Sequence, residues 1–310
     1  MANDMKQFEK EFSRIAPLFW TIDWATNPAS YTPDKAKVCA VFAKIAYLKI
    51  PDFELVHHSL AKIIPCWTYQ QAIQQSWNIN LLPALQGIEV GDNGVFVVQT
   101  SYAVAVGIIT PRVIIIALRG TRLLSLDWFI DFDVRWVDVF PNNHGVTFHQ
   151  GFYLAITECL AGITSEITRR TKTLGKLLPI YVVGHSLGGA MAGIMHALGG
   201  VTFASRFRYE TLGVPIMATD ASFTFGMPRY GDLRAITKLR TPIHIYNDND
   251  PVPDLMPMKL GYVNVPVEYR VDANHSVVRQ SQTNQGSSFC DSLDGLRKEH
   301  PIENYIQRLL

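Results

Sequence analysis

The run Ile180-Tyr-Val-Val-Gly-His-Ser-Leu-Gly-Gly-Ala-Met-Ala-Gly-Ile194 decides how the rest of the chain is read. It opens with apolar, β-prone residues and closes on small and apolar residues that suit a buried helix. Between them, Gly184-His185-Ser186-Leu187-Gly188 fits G-x-S-x-G, in which a serine sits on a sharp strand-to-helix turn and the flanking glycines let the two backbones approach closely. Composition alone supplies the bare pattern in roughly one chain of this length in ten. The setting adds what the pattern lacks, because a strand ending at Val183 and a helix starting just after Ser186 are the context a nucleophile turn requires.

Outward from this turn the chain alternates in the manner of an α/β protein. Upstream, residues 94–100 and 102–109 are β-rich, and Val113 to Leu118 is apolar on both faces, as expected of a strand in the middle of a sheet covered on both sides. A helix is predicted near 151–170, a strand at 180–183, a helix at 187–198, and strands at 221–225 and 243–246. Residues 199–220 read as a long mixed insertion, Ser281 to Ser288 as a polar turn, and about 291–309 as a last helix. Residues 34–49 carry apolar side chains at helical spacing up to Pro51, and the first 90 residues read as mainly helical or irregular. The expected fold is a mostly parallel central sheet with antiparallel N-terminal strands and helices on both faces.

Bulk properties narrow the function classes. With 310 residues and no linker, one domain over residues 1–310 is expected. The balance of 28 basic and 27 acidic residues gives no field to gather nucleic acid, so none is expected as a partner. Hydrophobic residues make up 48% and charged ones 18%, which suits a large core or an apolar ligand. The strongest apolar segment, Ser101 to Leu118, is interrupted by Pro111 and Arg112, so no transmembrane helix is expected. Residues 1–30 contain no secretory h-region, so a cytoplasmic location is expected, or a secreted one if a leader precedes the sequence given. Cys39, Cys66, Cys159 and Cys290 are scattered and unpaired with histidines at ligand spacing, so they read as buried thiols, with no metal and no cofactor expected.

A serine hydroxyl becomes a useful nucleophile when a histidine takes its proton, and that histidine needs an acid to hold its tautomer. In α/β-hydrolases the order along the chain is serine, acid, histidine. The run Asn247-Asp248-Asn249-Asp250-Pro251-Val252-Pro253-Asp254 follows a predicted strand directly, where the carboxyl edge of the sheet presents side chains to a site. Asp250 is the preferred acid, with Asp248 and Asp254 possible on spacing. Beyond it lie only His275 and His300. His300 is preferred, because it stands at the entrance of the last helix while Ile302, Tyr305 and Ile306 can anchor that helix. For the oxyanion, the N–H of Leu187 follows from the turn, and a second donor is expected at Thr121 in Arg119-Gly120-Thr121.

Taken together these residues resemble the class 3 lipases, which include fungal triacylglycerol lipases, feruloyl esterases and plant phospholipases of the A1 type. The resemblance runs from about residue 95 onward. It rests on Ile-Ile-Ala-Leu-Arg-Gly-Thr (115–121), Asp-Trp (127–128), His-Gln-Gly-Phe (149–152), Gly-His-Ser-Leu-Gly-Gly-Ala (184–190), Phe-Gly-Met-Pro-Arg-Tyr-Gly (225–231), the Asn-Asp-Asn-Asp-Pro-Val-Pro run (247–253), and His300 with Tyr305. It implies an α/β-hydrolase fold, a triad of Ser186, Asp250 and His300, and an oxyanion hole at Thr121 and Leu187.

The resemblance also implies a lid over the site at about 122–142. There Leu123, Leu124, Leu126, Trp128, Phe129, Ile130, Phe132 and Trp136 alternate with Asp127, Asp131, Asp133 and Arg135. His149 is read as a structural histidine near the site. The substrate class implied is an acylglycerol met at a transient lipid–water interface. Short-chain or aromatic esters, a phospholipid, or a lipase-like interaction protein without chemistry are the alternatives. Departures from the family pattern are a longer stretch from Ser186 to Pro228 and a helical N-terminal region without a counterpart.

Overall fold

The computed structural model describes residues 2–49, 66–120, 135–139, 145–172, 174–200, 217–281 and 298–310. Most of the lid region (122–134 and 140–142), Thr121, the insertion 201–216, the polar turn 282–288, Cys290 and residues 291–297 lie outside the described residues.

The chain opens with two helices, α1 (Ala2–Thr21) and α2 (Pro33–Ile45), followed by α3 (Cys66–Leu81) and a 3-10 turn at Pro83–Ile88. Thr32 caps α2 by accepting from the Lys35 N–H, and Pro33 supplies the fixed φ that suits the first helical position. Strands β1 (Val95–Gln99), β2 (Ala103–Ile109) and β3 (Ile114–Gly120) come next, then the short β4 (Trp136–Asp138) and β5 (Thr147–His149). The remainder runs α4 (Gln150–Thr171), β6 (Ile180–His185), α5 (Leu187–Gly199), β7 (Ala221–Phe225), α6 (Leu233–Lys238), β8 (Ile243–Asn247), β9 (Val267–Val271), β10 (Val277–Ser281) and α7 (Ile302–Leu309).

Eight strands form one sheet in the order β1-β2-β3-β6-β7-β8-β9-β10. The steps from β3 through β9 are parallel, while β1-β2, β2-β3 and β9-β10 are antiparallel. This is the α/β-hydrolase architecture, with its antiparallel start as expected. The strands read as apolar on both faces divide their side chains between two cores. Val113, Ile115 and Ala117 join α1, α2, α3 and α7 on one side, whereas Ile114, Ile116 and Leu118 join α4 and α5 on the other. A strand covered on both sides needs no polar face, which is why the periodicity of two is invisible in its sequence.

Three differences from the sequence reading have local causes. The C-terminal hairpin β9–β10 went unread because Val-Glu-Tyr-Arg-Val and Val-Val-Arg-Gln-Ser mix polar and apolar residues without strong alternation. Its turn is made by Asp272, whose carboxylate accepts from the N–H groups of Asn274 and Ser276. The last predicted helix is interrupted, since Lys298 is helical, residues 299–301 form a turn and bend, and α7 begins at Ile302. Within the candidate lid, Trp136–Asp138 is a strand of a two-stranded sheet paired with β5, and the Trp136 ring stacks on Tyr262 with centroids 3.8 Å apart.

Candidate active site

The parallel strands end side by side, and each hands one element to a common edge. β6 delivers Ser186, β7 delivers Gly226, β8 delivers the turn holding Asp250, and α7 is preceded by His300. The register fixes this alignment, with His185 opposite Phe225 and Phe225 opposite Ile245. The crevice outside the carboxyl ends of such strands is where ligands bind in open α/β sheets.

Ser186 has φ +55° and ψ −129°, a conformation that L-residues seldom adopt and that must be held by its surroundings. The holding is done by close backbone approach. A Cβ at Gly184 would lie 2.2 Å from the Gly188 carbonyl oxygen, and one at Gly188 would lie 2.0 Å from the Leu118 oxygen. Both glycines of the pentapeptide are therefore required by packing. The Ser186 N–H donates to the Phe225 carbonyl at 2.9 Å, and the Ser186 carbonyl accepts from Gly189 at 2.8 Å to start α5. The N–H groups of Leu187 and Gly188 come before that first helical bond and so have no intrahelical acceptor. Leu187 thus stands where an oxyanion donor is expected.

Asp250 and His300, fifty residues apart, meet at 2.9 Å between Oδ2 and Nδ1. Because a carboxylate can only accept, Nδ1 carries a proton, and in the neutral form of the ring Nε2 keeps its lone pair. Asp250 Oδ2 also accepts from the Tyr305 hydroxyl, and its Oδ1 accepts from the Val252 N–H at 3.0 Å. Burial alone would raise this carboxyl. The charge and hydrogen bond of His300, the Tyr305 hydroxyl and the Val252 N–H outweigh burial and hold it below the usual carboxylate range. Ser186 Oγ and His300 Nε2 are both buried and have no hydrogen-bond partner among the described residues.

Two side chains tie down the backbone that carries His300. Asn247 Nδ2, from the end of β8, donates to the Glu299 carbonyl at 2.9 Å. His185 Nε2, from the end of β6, lies 2.6 Å from the His300 carbonyl, and the two rings pack with centroids 4.5 Å apart. Since a carbonyl accepts, His185 is the donor, and burial together with neighbouring His300 depresses its pKa to about 3. The N-terminal layer reaches this edge as well. Tyr47 Oη donates to the His185 carbonyl at 2.8 Å, and Arg119 donates to the Ala46 carbonyl at 2.9 Å.

The other residues weighed on sequence are engaged elsewhere. Asp254 pairs with Arg229 at 2.6 Å, and Asp248 with Arg270 at 3.4 Å. His275 is exposed in the β9–β10 turn at φ +64°. His149 caps α4, with Nδ1 accepting from Phe152 N–H at 3.4 Å. Cys39 and Cys159 are buried free thiols, and among the described residues no cluster of His, Cys, Asp or Glu could hold a metal ion. No described helix is long and apolar enough to cross a membrane. Gly226, Asn247 and Tyr47 were missed as site residues. Gly226 had a signal, as a glycine directly after a predicted strand, whereas Tyr47 had none, since its role depends on a contact 138 residues away.

Fold and edge together give the α/β-hydrolase fold with Ser186 on a strained strand-to-helix turn. The model of the family described as Lipase (class 3) matches residues 115–260. That matched region contains the elbow and Asp250. A secreted mono- and diacylglycerol lipase from Fusarium solani is 28% identical over 165 residues, which are 51% of this chain and 44% of that protein. The match therefore spans less than half the length of that relative. Among solved structures, the lipase from Rhizopus microsporus var. chinensis superposes with a TM-score of 0.56 at 17% identity, covering 89% of this chain and 88% of that one. Lipase II from Rhizopus niveus gives 0.54 at 18% identity, covering 89% and 95%.

Proposed function

We propose that the chain is a serine carboxylic ester hydrolase that cleaves acylglycerol esters through an acyl-enzyme on Ser186. The observation that carries this reading is the pairing of Asp250 with His300 at 2.9 Å, which leaves the His300 Nε2 lone pair open at the strand edge that presents Ser186. The acylglycerol class is taken from the Fusarium relative and from the family.

In this reading Ser186 Oγ attacks the ester carbonyl carbon as its proton passes to His300 Nε2. The oxyanion is held by the N–H of Leu187 and, by the family pattern, of Thr121. Such donors are each worth on the order of 3 kcal/mol in the transition state. Collapse breaks the ester C–O bond, and the leaving alcohol takes the proton from Nε2. Water then adds to the acyl-enzyme by the same path, releasing the carboxylic acid and restoring the Ser186 hydroxyl. Asp250 stays ionised and stabilises the imidazolium formed in each half.

The test is hydrolysis of emulsified diacylglycerol and of a soluble p-nitrophenyl ester by the wild type and by Ser186→Ala. Loss of turnover in the variant, together with labelling of Ser186 by a fluorophosphonate in the wild type, is expected. Wild-type turnover retained by Ser186→Ala refutes the assignment.

A further inference from the structure

The molecule holds a second buried histidine–carboxylate pair that the reaction above does not use. His244 on β8 stands directly opposite Glu268 on β9, and its Nδ1 lies 2.9 Å from Glu268 Oε1. The other ring nitrogen, Nε2, accepts from the Met227 N–H at 3.1 Å. The tautomer follows from the partners, since an N–H into Nε2 and a carboxylate at Nδ1 leave room for one proton, on Nδ1. Glu268 is supported in turn by Asn264 at 3.5 Å, and Asn264 accepts from Arg229 at 2.5 Å. His244 is 1% exposed, and such a polar chain in a core is costly unless it fixes something.

What it fixes is the turn 226–227. Gly226 lies at φ +52°, and a Cβ there would meet Asp250 Oδ2 and Tyr305 Oη at 2.7 Å and His300 Nδ1 at 3.1 Å. Met227, on the other side of the same peptide, packs against α5 close to Gly189 and Gly193. The turn is thus a spacer between the acid–base pair and the helix that starts at the nucleophile. It is held by two bonds, Gly226 N–H to Ile245 O at 3.0 Å and Met227 N–H to His244 Nε2. Only the second ends on a side chain.

We infer that His244, oriented by Glu268, is a positioning residue for the reaction, setting the gap between Asp250–His300 and Ser186 through the Met227 amide. This inference rests on the proposed roles of those three residues. Its test uses the two amide side chains that imitate one ring nitrogen each. Asparagine reaches the Nδ1 place and can donate to Glu268, but leaves the Met227 N–H without an acceptor. Glutamine reaches the Nε2 place and restores that acceptor.

For folded His244→Asn we expect kcat on a soluble ester to fall at nearly unchanged KM by about tenfold to a hundredfold, the scale of a misplacement below 1 Å. Labelling of Ser186 by a fluorophosphonate should slow in parallel, and the acid limb of the kcat/KM profile should move. His244→Gln should recover most of the rate. Should His244→Asn fail to fold, Glu268→Gln keeps the shape, removes the charge that holds the proton on Nδ1, and should give a loss of a few-fold. Equal rates in His244→Asn, His244→Gln and wild type overturn the inference, as does a loss that is the same in both variants and follows thermal stability alone.

The downfield imidazole proton of the His300–Asp250 pair gives a readout that needs no turnover. It is identified as the resonance that persists in His244→Gln, and it should shift or broaden in His244→Asn. A wild-type protein inert to both ester and fluorophosphonate refutes the proposed function, and this resonance then decides the positioning on its own. An unchanged resonance in His244→Asn overturns it.

Discussion

Replacing Gly226 by alanine places a methyl carbon 2.7 Å from Asp250 Oδ2, 2.7 Å from Tyr305 Oη and 3.1 Å from His300 Nδ1. Ordinary contacts of such atoms begin near ~3.5 Å, so the carboxylate and the phenol must retreat by roughly 0.8 Å. They cannot do so freely, because Asp250 is held by three donors and Tyr305 also accepts from the Asn247 N–H at 3.2 Å. Two costs add. Alanine at φ +52° loses about 1 kcal/mol in the left-handed region, and crowding a packed site costs about 1–3 kcal/mol more. Unfolding in urea, followed by tryptophan fluorescence, should therefore show a loss of about 2–4 kcal/mol. The rate effect should be larger than the stability effect suggests, since a shift of nearly 1 Å in the acid–base pair corresponds to a loss of about a hundredfold. Turnover of a p-nitrophenyl ester, measured where the variant is still fully folded, separates the two. A variant that is destabilised but turns over at the wild-type rate would refute the claim that this glycine exists to make room for Asp250, Tyr305 and His300.

Asn247→Asp, isosteric but unable to donate to the Glu299 carbonyl, should lower kcat by about tenfold with little change in KM, and a rate equal to wild type would remove Asn247 from the site. Asp250→Asn lets the amide hold the wrong tautomer of His300 and should cost on the order of 10⁴ in kcat while the fold persists; wild-type kcat would rule Asp250 out as the acid. A pH effect on stability follows from two buried neutral histidines. Burial and neighbouring His300 depress His185 to about 3, and burial with Arg240 depresses His196 to about 4. Between pH ~6.5 and those values the unfolded chain binds protons that the folded one refuses, so stability falls as pH falls. Each ring should cost about 2 kcal/mol by pH 5 relative to pH 7, and urea midpoints that stay constant over that range would refute it.

The sequence made the fold legible where one residue type had one reason to be present. Ser186 between Gly184 and Gly188, the doubly apolar Val113 to Leu118, and the acid-rich run after β8 each carry a local signature of their place. The choice of Asp250 and His300 from among five acids and histidines needed chain order and family resemblance, and the structure brings those two together while engaging or exposing the other three. What stayed illegible depends on partners distant in sequence. His244 reads as an ordinary strand residue until Glu268 and Met227 are set beside it. Tyr47 and Arg119 reach the site edge from the N-terminal layer and across it, and neither periodicity nor motif announces such contacts. The hairpin β9–β10 escaped because an edge with mixed side chains lacks the alternation from which strands are read.

The contact between α7 and the N-terminal layer bears on the order in which the molecule is completed. Lys44 on α2 is buried between Glu11 of α1, at 3.0 Å, and Glu303 of α7, at 3.5 Å. Glu11 and Lys44 leave the ribosome early and can satisfy each other at once. Residues 298–310 follow every described strand of the sheet in the chain, and the contact of His300 with Asp250 depends on α7 docking on that pair. Completion of the candidate acid–base pair therefore falls to one short helix, seated on a salt bridge that the first two helices form between themselves.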